Sequence, residues 1–279
     1  MLSLRRRSSQ AVFAAVTLAI GLFLLFPLVW LVTTAFKPEA EIFLTFPTLL
    51  PSAPTWHNFV RAVKAAGIGT YLKNSLIAAS GSAVLTTTLA TLAAYGFSKF
   101  RFRARQPLML MLIAAQMFPF AVLLITLYPM LKAIGLLDTL TGLTVSYIVF
   151  ALPTGTYMLY SYFRQIPDEL IEAARIDGAG ELKLLVRVVL PLSLPAVVAV
   201  GIYAFMWAWN DLFYALTIIS SDDLRTVGPG LMLQFFGEMQ QDWGAAMAAS
   251  LLASAPVVLM FTFLQRYFVQ GLTAGAVKS

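Results

Sequence analysis

Six apolar runs alternate with short polar stretches along the 279 residues, and this alternation predicts an all-α integral membrane protein. The runs fall at 11–36, 74–98, 107–131, 140–163, 188–216 and 245–268. At ~1.5 Å per residue, each is long enough to cross a hydrocarbon core of ~30 Å. A charge at a helix centre costs roughly 2.5–3.5 kcal/mol on insertion, and the centres of all six runs avoid one. Six spans place both chain ends on one side. The expected organisation is an N-terminal segment, 1–10, and a single membrane domain over 11–279. Arg5, Arg6 and Arg7 look like the basic flank of a signal peptide. The apolar run after them is too long for a typical signal and has no evident A-x-A site, so it is expected to stay as the first span.

Composition agrees with lipid as the solvent. Apolar residues make up 59% and charged residues 11%, with a mean hydropathy of +0.82. Soluble domains carry ~25% charged residues. The net charge of +6 reports topology rather than nucleic-acid binding. With the N-terminus inside, thirteen of the 19 Lys and Arg residues fall in the cytoplasm. The strongest local signal is KFRFRAR at 99–105. It reads first as a topology anchor and second as a lipid-binding patch. The loop 164–187 and the C-terminal tail lie on the same side. Outside lie 37–73, a turn at 132–139 and an acidic loop, 220–243, with Asp222, Asp223, Glu238 and Asp242.

Several kinds of chemistry are missing. There is no cysteine and one histidine, His57, which reads as a surface or packing residue. No G-x-x-x-x-G-K-[ST], G-x-S-x-G or H-E-x-x-H occurs. A polytopic membrane enzyme therefore lacks a catalytic constellation, and an ion-coupled carrier lacks the buried acid of a proton relay. Ala78, Ser82, Thr86, Ala90 and Ala94 form a stripe of small residues in the second run, as do Ala245, Ala249 and Ala253 in the sixth. Such stripes allow close helix approach in lipid.

The polar stretch 164–187 is unusual for such a chain. It holds Arg164, Asp168, Glu169, Glu172, Arg175, Asp177, Glu181, Lys183 and Arg187. IPDELIEAARIDG reads as a short helix with Pro167 in its first turn, acids at the positive end of its dipole, and Gly178 as its stop. Arg175 is spaced to pair with Glu172. Leu170, Ala173 and Ala174 give a shallow apolar face. On periodicity alone, such a helix suits either another protein's groove or a solvated linker. Pro191 and Pro195 are expected to bend the start of the fifth span.

The stretch resembles the EAA motif of bacterial ABC importer permeases, E-A-A, three residues, G, nine residues, I-x-L-P. Here it reads Glu172-Ala173-Ala174, Gly178, then Val188 in place of Ile, Leu190 and Pro191. PTWHNFVRAV (54–63), NSLIAA (74–79), AAYGFSKFRFRAR (93–105), LKAIGLLDTLTGL (131–143) and FVQGLTAGAVKS (268–279) resemble the carbohydrate branch, and the second permease of maltose-type systems in particular. The resemblance implies a six-helix, MetI-like ABC importer permease fold working by alternating access in the cell inner membrane. It implies a second permease subunit as heterodimer partner, two copies of a cytoplasmic ATPase that bind ATP and Mg, an extracytoplasmic solute-binding protein and a sugar substrate. This chain would need no cofactor or metal of its own. Glu172, Ala173, Ala174, Arg175, Asp177, Gly178, Leu190 and Pro191 would couple to the ATPase. Glu172 would meet a basic group, the alanines would pack in a cleft and Gly178 would make the turn. Gln116, Tyr203, Trp207 and Asn210 are the path candidates, because rings and amides suit sugars; Trp209 and Asp211 adjoin them. Trp207 and Trp209 also fit an interfacial belt. The acidic 220–243 loop is a candidate contact for the binding protein, and 270–279 for the ATPases. The alternative substrate is glycerol phosphate or another polar solute.

Overall fold

A computed structural model describes residues 2–64, 67–235 and 242–276, with side chains from 12 to 64, 67 to 235 and 242 to 264, and that of Gln10. Among the described residues all regular structure is helical. Four continuous helices are long and apolar enough to cross a membrane, and two bent helix pairs bring the total to six if each pair counts as one span. The chain divides into two compact units, Met1–Ile68 with Leu231–Ala255, and Gly69–Gly230 with Pro256–Ser279.

The first unit contains α1 (Leu2–Ala35), the short α2 (Glu39–Ile42) and α3 (His57–Lys64). The most apolar stretch of α1 is wholly unburied, so its side chains are left for lipid or for another subunit. Polar side chains organise the turn that follows it. Lys37 is buried, donates to the Thr48 carbonyl and lies 4.5 Å from the Trp30 ring centre. Asn58 donates to the carbonyls of Ala35 and Lys37 at 2.9 and 2.8 Å, closing the chain back on itself. Arg61 pairs with Glu39 at 3.2 Å and Asp242 at 3.0 Å. Asp242 is therefore engaged inside the protein. His57 is exposed and its backbone N–H donates to Thr55 Oγ1. Ala245, Ala249 and Ala253 are buried within the chain.

The second unit is built on α4 (Ile68–Lys99), α7 (Leu140–Phe163) and α11 (Leu194–Trp209), with α5 (Arg105–Ala115) and α6 (Phe120–Ala133) between the first two. The stripe Ala78, Ser82, Thr86, Ala90 and Ala94 is buried along its whole length. A Cβ on Gly155 of α7 would lie 2.9 Å from Val200 of α11 and 3.5 Å from Ala90 of α4, so three backbones meet there. The stripe thus packs in cis, and small residues are what admit the approach. At the far end, Asn74 donates to the Asp223 and Arg225 carbonyls at 2.8 and 2.9 Å. Asp222 pairs with Arg225 at 2.6 Å. Glu238 lies outside the described residues.

Two expected spans are not continuous helices. The run 107–131 breaks over 116–119, where α5 and α6 meet at 101°. Pro119, the cap residue of α6, disfavours helix in the residue before it and lacks an N–H. The run 188–216 is divided twice. After α8 (Asp168–Ile176), a segment made of α9 (Glu181–Leu184), a π-helical turn (Leu185–Val189) and α10 (Leu190–Leu192) meets α11 at 84°. Pro191 and Pro195 each withhold a backbone donor here, and the Ser193 N–H turns back to the Val189 and Leu190 carbonyls. Further on, α11 ends at Trp209 and the chain resumes as α12 (Phe213–Ile218).

Candidate functional site

Between α7 and α9 lies α8 (Asp168–Ile176), in the polar stretch. Pro167 is its cap residue, one position before the expected first turn. Gly178 has φ +78°, a left-handed conformation that costs a side-chain-bearing residue more. Around it the Gly178 N–H donates to the Arg175 carbonyl and the Ala179 N–H to the Ala174 carbonyl, both at 3.0 Å. This is the double closure of a Schellman turn, with the Asp177 N–H held by the Ala173 carbonyl at 3.1 Å.

The turn overturns one expected pairing. Arg175 donates to Glu181, at 2.9 Å from Nη2 and 3.2 Å from Nε, and not to Glu172. The left-handed turn brings α9 back alongside α8, and Tyr95 Oη fixes Glu181 by donating to its other oxygen at 2.6 Å. Glu172 is left exposed, without an ion-pair partner among the described residues. Ala173 is exposed beside it and Ala174 is half-buried.

Two further contacts hold α8 against the spans. Ile171 is its one buried side chain and belongs to the core that includes Tyr95, Phe163, Ile166 and Leu184. Lys99, at the end of α4, donates to the Ile166 carbonyl at 3.0 Å and to Asp168 at 2.8 Å. That hydrogen bond and the Lys99 charge hold the Asp168 carboxyl below its ordinary range. The helix is thus pinned underneath, and its other face is exposed among the described residues. Glu172, Ala173, Ala174, Arg175, Asp177 and Gly178 share this one element and its turn, whereas Leu190 and Pro191 lie in α10 at the 84° bend. Tyr95, Lys99 and Glu181 escape sequence reasoning because they lie 67 to 86 residues from the partners that give them a role, or, for Glu181, from Tyr95.

The path candidates separate. Tyr203, Trp207, Asn210 and Asp211 line one cavity of ≈ 660 Å³, with Phe120, Phe150 and Phe213 among its walls. Gln116 lines a different one, of ≈ 310 Å³, and Phe150 borders both. Trp207 stacks on Phe150 with ring centres 4.0 Å apart and meets the edges of Tyr147 and Tyr214 at 5.8 and 5.7 Å. Asp211 accepts from Tyr147 Oη at 3.0 Å and from the Tyr214 and Ala215 N–H groups at 3.2 and 2.9 Å. It therefore restarts the helix at α12, by capping its orphan donors. Asn210 donates to the Met206 carbonyl at 2.8 Å and its side chain is otherwise exposed. Trp209 is buried and stacks on Phe205 at 5.4 Å, which makes it a packing residue and not part of this cavity. Among the described residues no group of three acidic, histidine or cysteine side chains could hold a metal.

Residues 86–274 match the family described as binding-protein-dependent transport system inner membrane component. The chain is 37% identical to the sulfoquinovosyl glycerol transport system permease protein SmoH of Agrobacterium fabrum, over 91% of this chain and 89% of that protein. It is 36% identical to the trehalose/maltose transport system permease protein MalG of Thermococcus litoralis, over 91% of each. A crystal structure of a bacterial ABC transporter that imports the acidic polysaccharide alginate contains a chain of the same fold, with a TM-score of 0.83 at 20% identity, over 94% of this chain and 97% of that one. The multi-span helices, the capped polar helix at their end and these likenesses together make the chain a member of the binding-protein-dependent transport system inner membrane components, the permease subunits of ABC importers.

Proposed function

We infer that this permease moves a carbohydrate, pairs with a second permease subunit, and takes up the stroke of a partner ATPase through α8. The observation that carries the coupling assignment is the two-sidedness of α8. Ile171, Lys99 and the Tyr95–Glu181–Arg175 chain fasten its underside, and Glu172 and Ala173 are exposed among the described residues. A helix held this firmly transmits a push, and an exposed carboxylate next to small side chains suits a cleft with a basic rim. The Lys99–Asp168 pair supports the topology, since it sets 99–105 and 164–187 at the same end, the end assigned to the cytoplasm by the distribution of Lys and Arg.

Two observations support a sugar. The relatives named above carry sugar-containing solutes in their names. The larger cavity is walled by aromatic rings, within the size range of small-molecule sites, and has no Lys or Arg among its described lining residues. A glycerol phosphate would call for a cation there. The outer contact with a solute-binding protein is assigned to the 222–224 turn, where Asp222 and Asp223 are exposed.

The test is co-purification of the chain with its partners from native membranes, with transport and ATP hydrolysis followed in vesicles. Glu172→Lys is expected to abolish ATPase association and transport while leaving the helical content and thermal midpoint unchanged, as surface substitutions do. An ATPase that stays bound to Glu172→Lys at wild-type stoichiometry would sink the coupling assignment.

A further inference from the structure

The basic residues from Lys99 to Arg105 and at Arg164 do not share one role. Lys99 is bonded to Asp168, and Arg101 lies in the field of the same carboxylate. No carboxylate lies within 4.0 Å of Arg103, Arg105 or Arg164 among the described residues. These three arginines instead line one cleft of ≈ 520 Å³, together with Gln106 and Tyr160. Arg105 and Arg164 each stand 5.7 Å from the Tyr160 ring centre. Arg105 Nη2 also donates to the Tyr160 oxygen at 3.2 Å. The ring thus holds two like charges near one another, and the phenol hydrogen remains to donate.

A topology anchor needs positive charge near the membrane surface, but not convergence. Two cations set on one phenol ring, with a third basic residue lining the same cleft and no carboxylate paired with any of them among the described residues, repel one another unless an anion joins them. Guanidinium forks match the geometry of phosphate oxygens, and most of their N–H donors are unused here. The other wall of the cleft is apolar. Phe102 and Leu110 line it and are 42% and 59% exposed. Leu108 and Met111 continue that exposed apolar surface along α5. A cleft that is cationic at one end and opens onto an unburied apolar helix has the shape of a phospholipid, head to tail. Basic pockets at the ends of spans are where lipid headgroup phosphates bind.

We propose that the cleft among Arg103, Arg105, Arg164 and Tyr160 binds the headgroup phosphate of an anionic phospholipid, with its acyl chains lying along α5. The site requires only that this end of the spans meets a membrane surface; it does not depend on the role given to α8.

The experiment is native mass spectrometry of the full chain, purified with its partner subunits, titrated with phosphatidylglycerol and with phosphatidylcholine of the same acyl composition. The wild type is expected to take up phosphatidylglycerol preferentially. Replacing Arg103 and Arg164 together by Gln should weaken that uptake by about fivefold for each guanidinium lost, and bring it to the level of phosphatidylcholine. Millimolar inorganic phosphate should leave the bound lipid in place. Displacement by inorganic phosphate would make this a free-oxyanion site and overturn the lipid assignment. Equal uptake of the two lipids by the wild type would overturn it as well, whether or not the arginine variants insert and fold.

Discussion

The α8 region and the Trp207 cavity, both in the second unit, solve opposite problems. In α8 the side chains proposed to meet the ATPase are exposed, and a separate set beneath them, Ile171, Lys99, Tyr95 and Glu181, does the holding. In the cavity the same rings do both. Trp207 lines the space while its faces and edges are taken by Phe150, Tyr147 and Tyr214. The division of labour has a consequence. The proposed coupling surface of α8 is thus separate from its supports, whereas the proposed path residues at the cavity are supports themselves. Asp211, next to the path candidate Asn210, is likewise occupied with capping α12.

The most severe way to break this contrast is at Tyr147, which is 1% exposed. Tyr147→Ala empties the space beside Trp207 and removes a donor from Asp211, and is expected to cost about 3–5 kcal/mol in folding stability. Thermal unfolding in detergent measures this, and transport should fall with it. A variant as stable as the wild type would show that the cavity wall is not part of the fold's support. Tyr147→Phe keeps the ring and removes only the donated hydrogen bond, for about 2 kcal/mol, the range for bonds to charged groups. Its transport per folded molecule should change little; a large change at unaltered stability would mean that the hydroxyl itself faces the solute.

At α8 the expected order is reversed, with coupling hurt more than folding. Tyr95→Phe releases Glu181, which is 43% exposed, so the cost is about 1 kcal/mol or less. ATP hydrolysis should nevertheless become less dependent on the loaded binding protein, because Arg175 and the Gly178 turn lose their stay. Unchanged stimulation by the binding protein would refute the transmission role. The smallest effect concerns pH. The folded state holds the Asp168 carboxyl below its ordinary range, through Lys99. A depressed acid contributes stability above its unfolded pKa and loses it as pH falls through the folded one. The tie should therefore be intact at neutral pH and fade below the usual carboxylate range. Asp168→Asn should remove that acid dependence from the thermal midpoint; a midpoint that falls as steeply in acid as the wild type's would assign the dependence elsewhere.

Much of this was legible in the chain by itself. The helical membrane class followed from the cost of burying charge, since no run of about 24 uncharged residues has a cheaper place than lipid. The stop of α8 at Gly178 followed from local backbone chemistry, because only glycine takes φ +78° freely there. The small-residue stripe of α4 was visible as spacing, and so was its use for packing. Tertiary structure alone decided the rest. Pro191 and Pro195 announced a bend, but its angle depends on what each half packs against, and the break at Pro119 inside the expected span 107–131 came only with the structure. Arg175 had an acid at helical spacing in Glu172, yet chose Glu181, which a turn and the hydroxyl of Tyr95 hold in place. Four path candidates looked alike as ring and amide types, but only three share a cavity, because the break before α6 carries Gln116 into the neighbouring space. Local energies such as propensity, charge burial and glycine freedom act between near neighbours and can be read from order. Pairings across 60 or more residues depend on which helices meet, and that is settled only when the whole set packs.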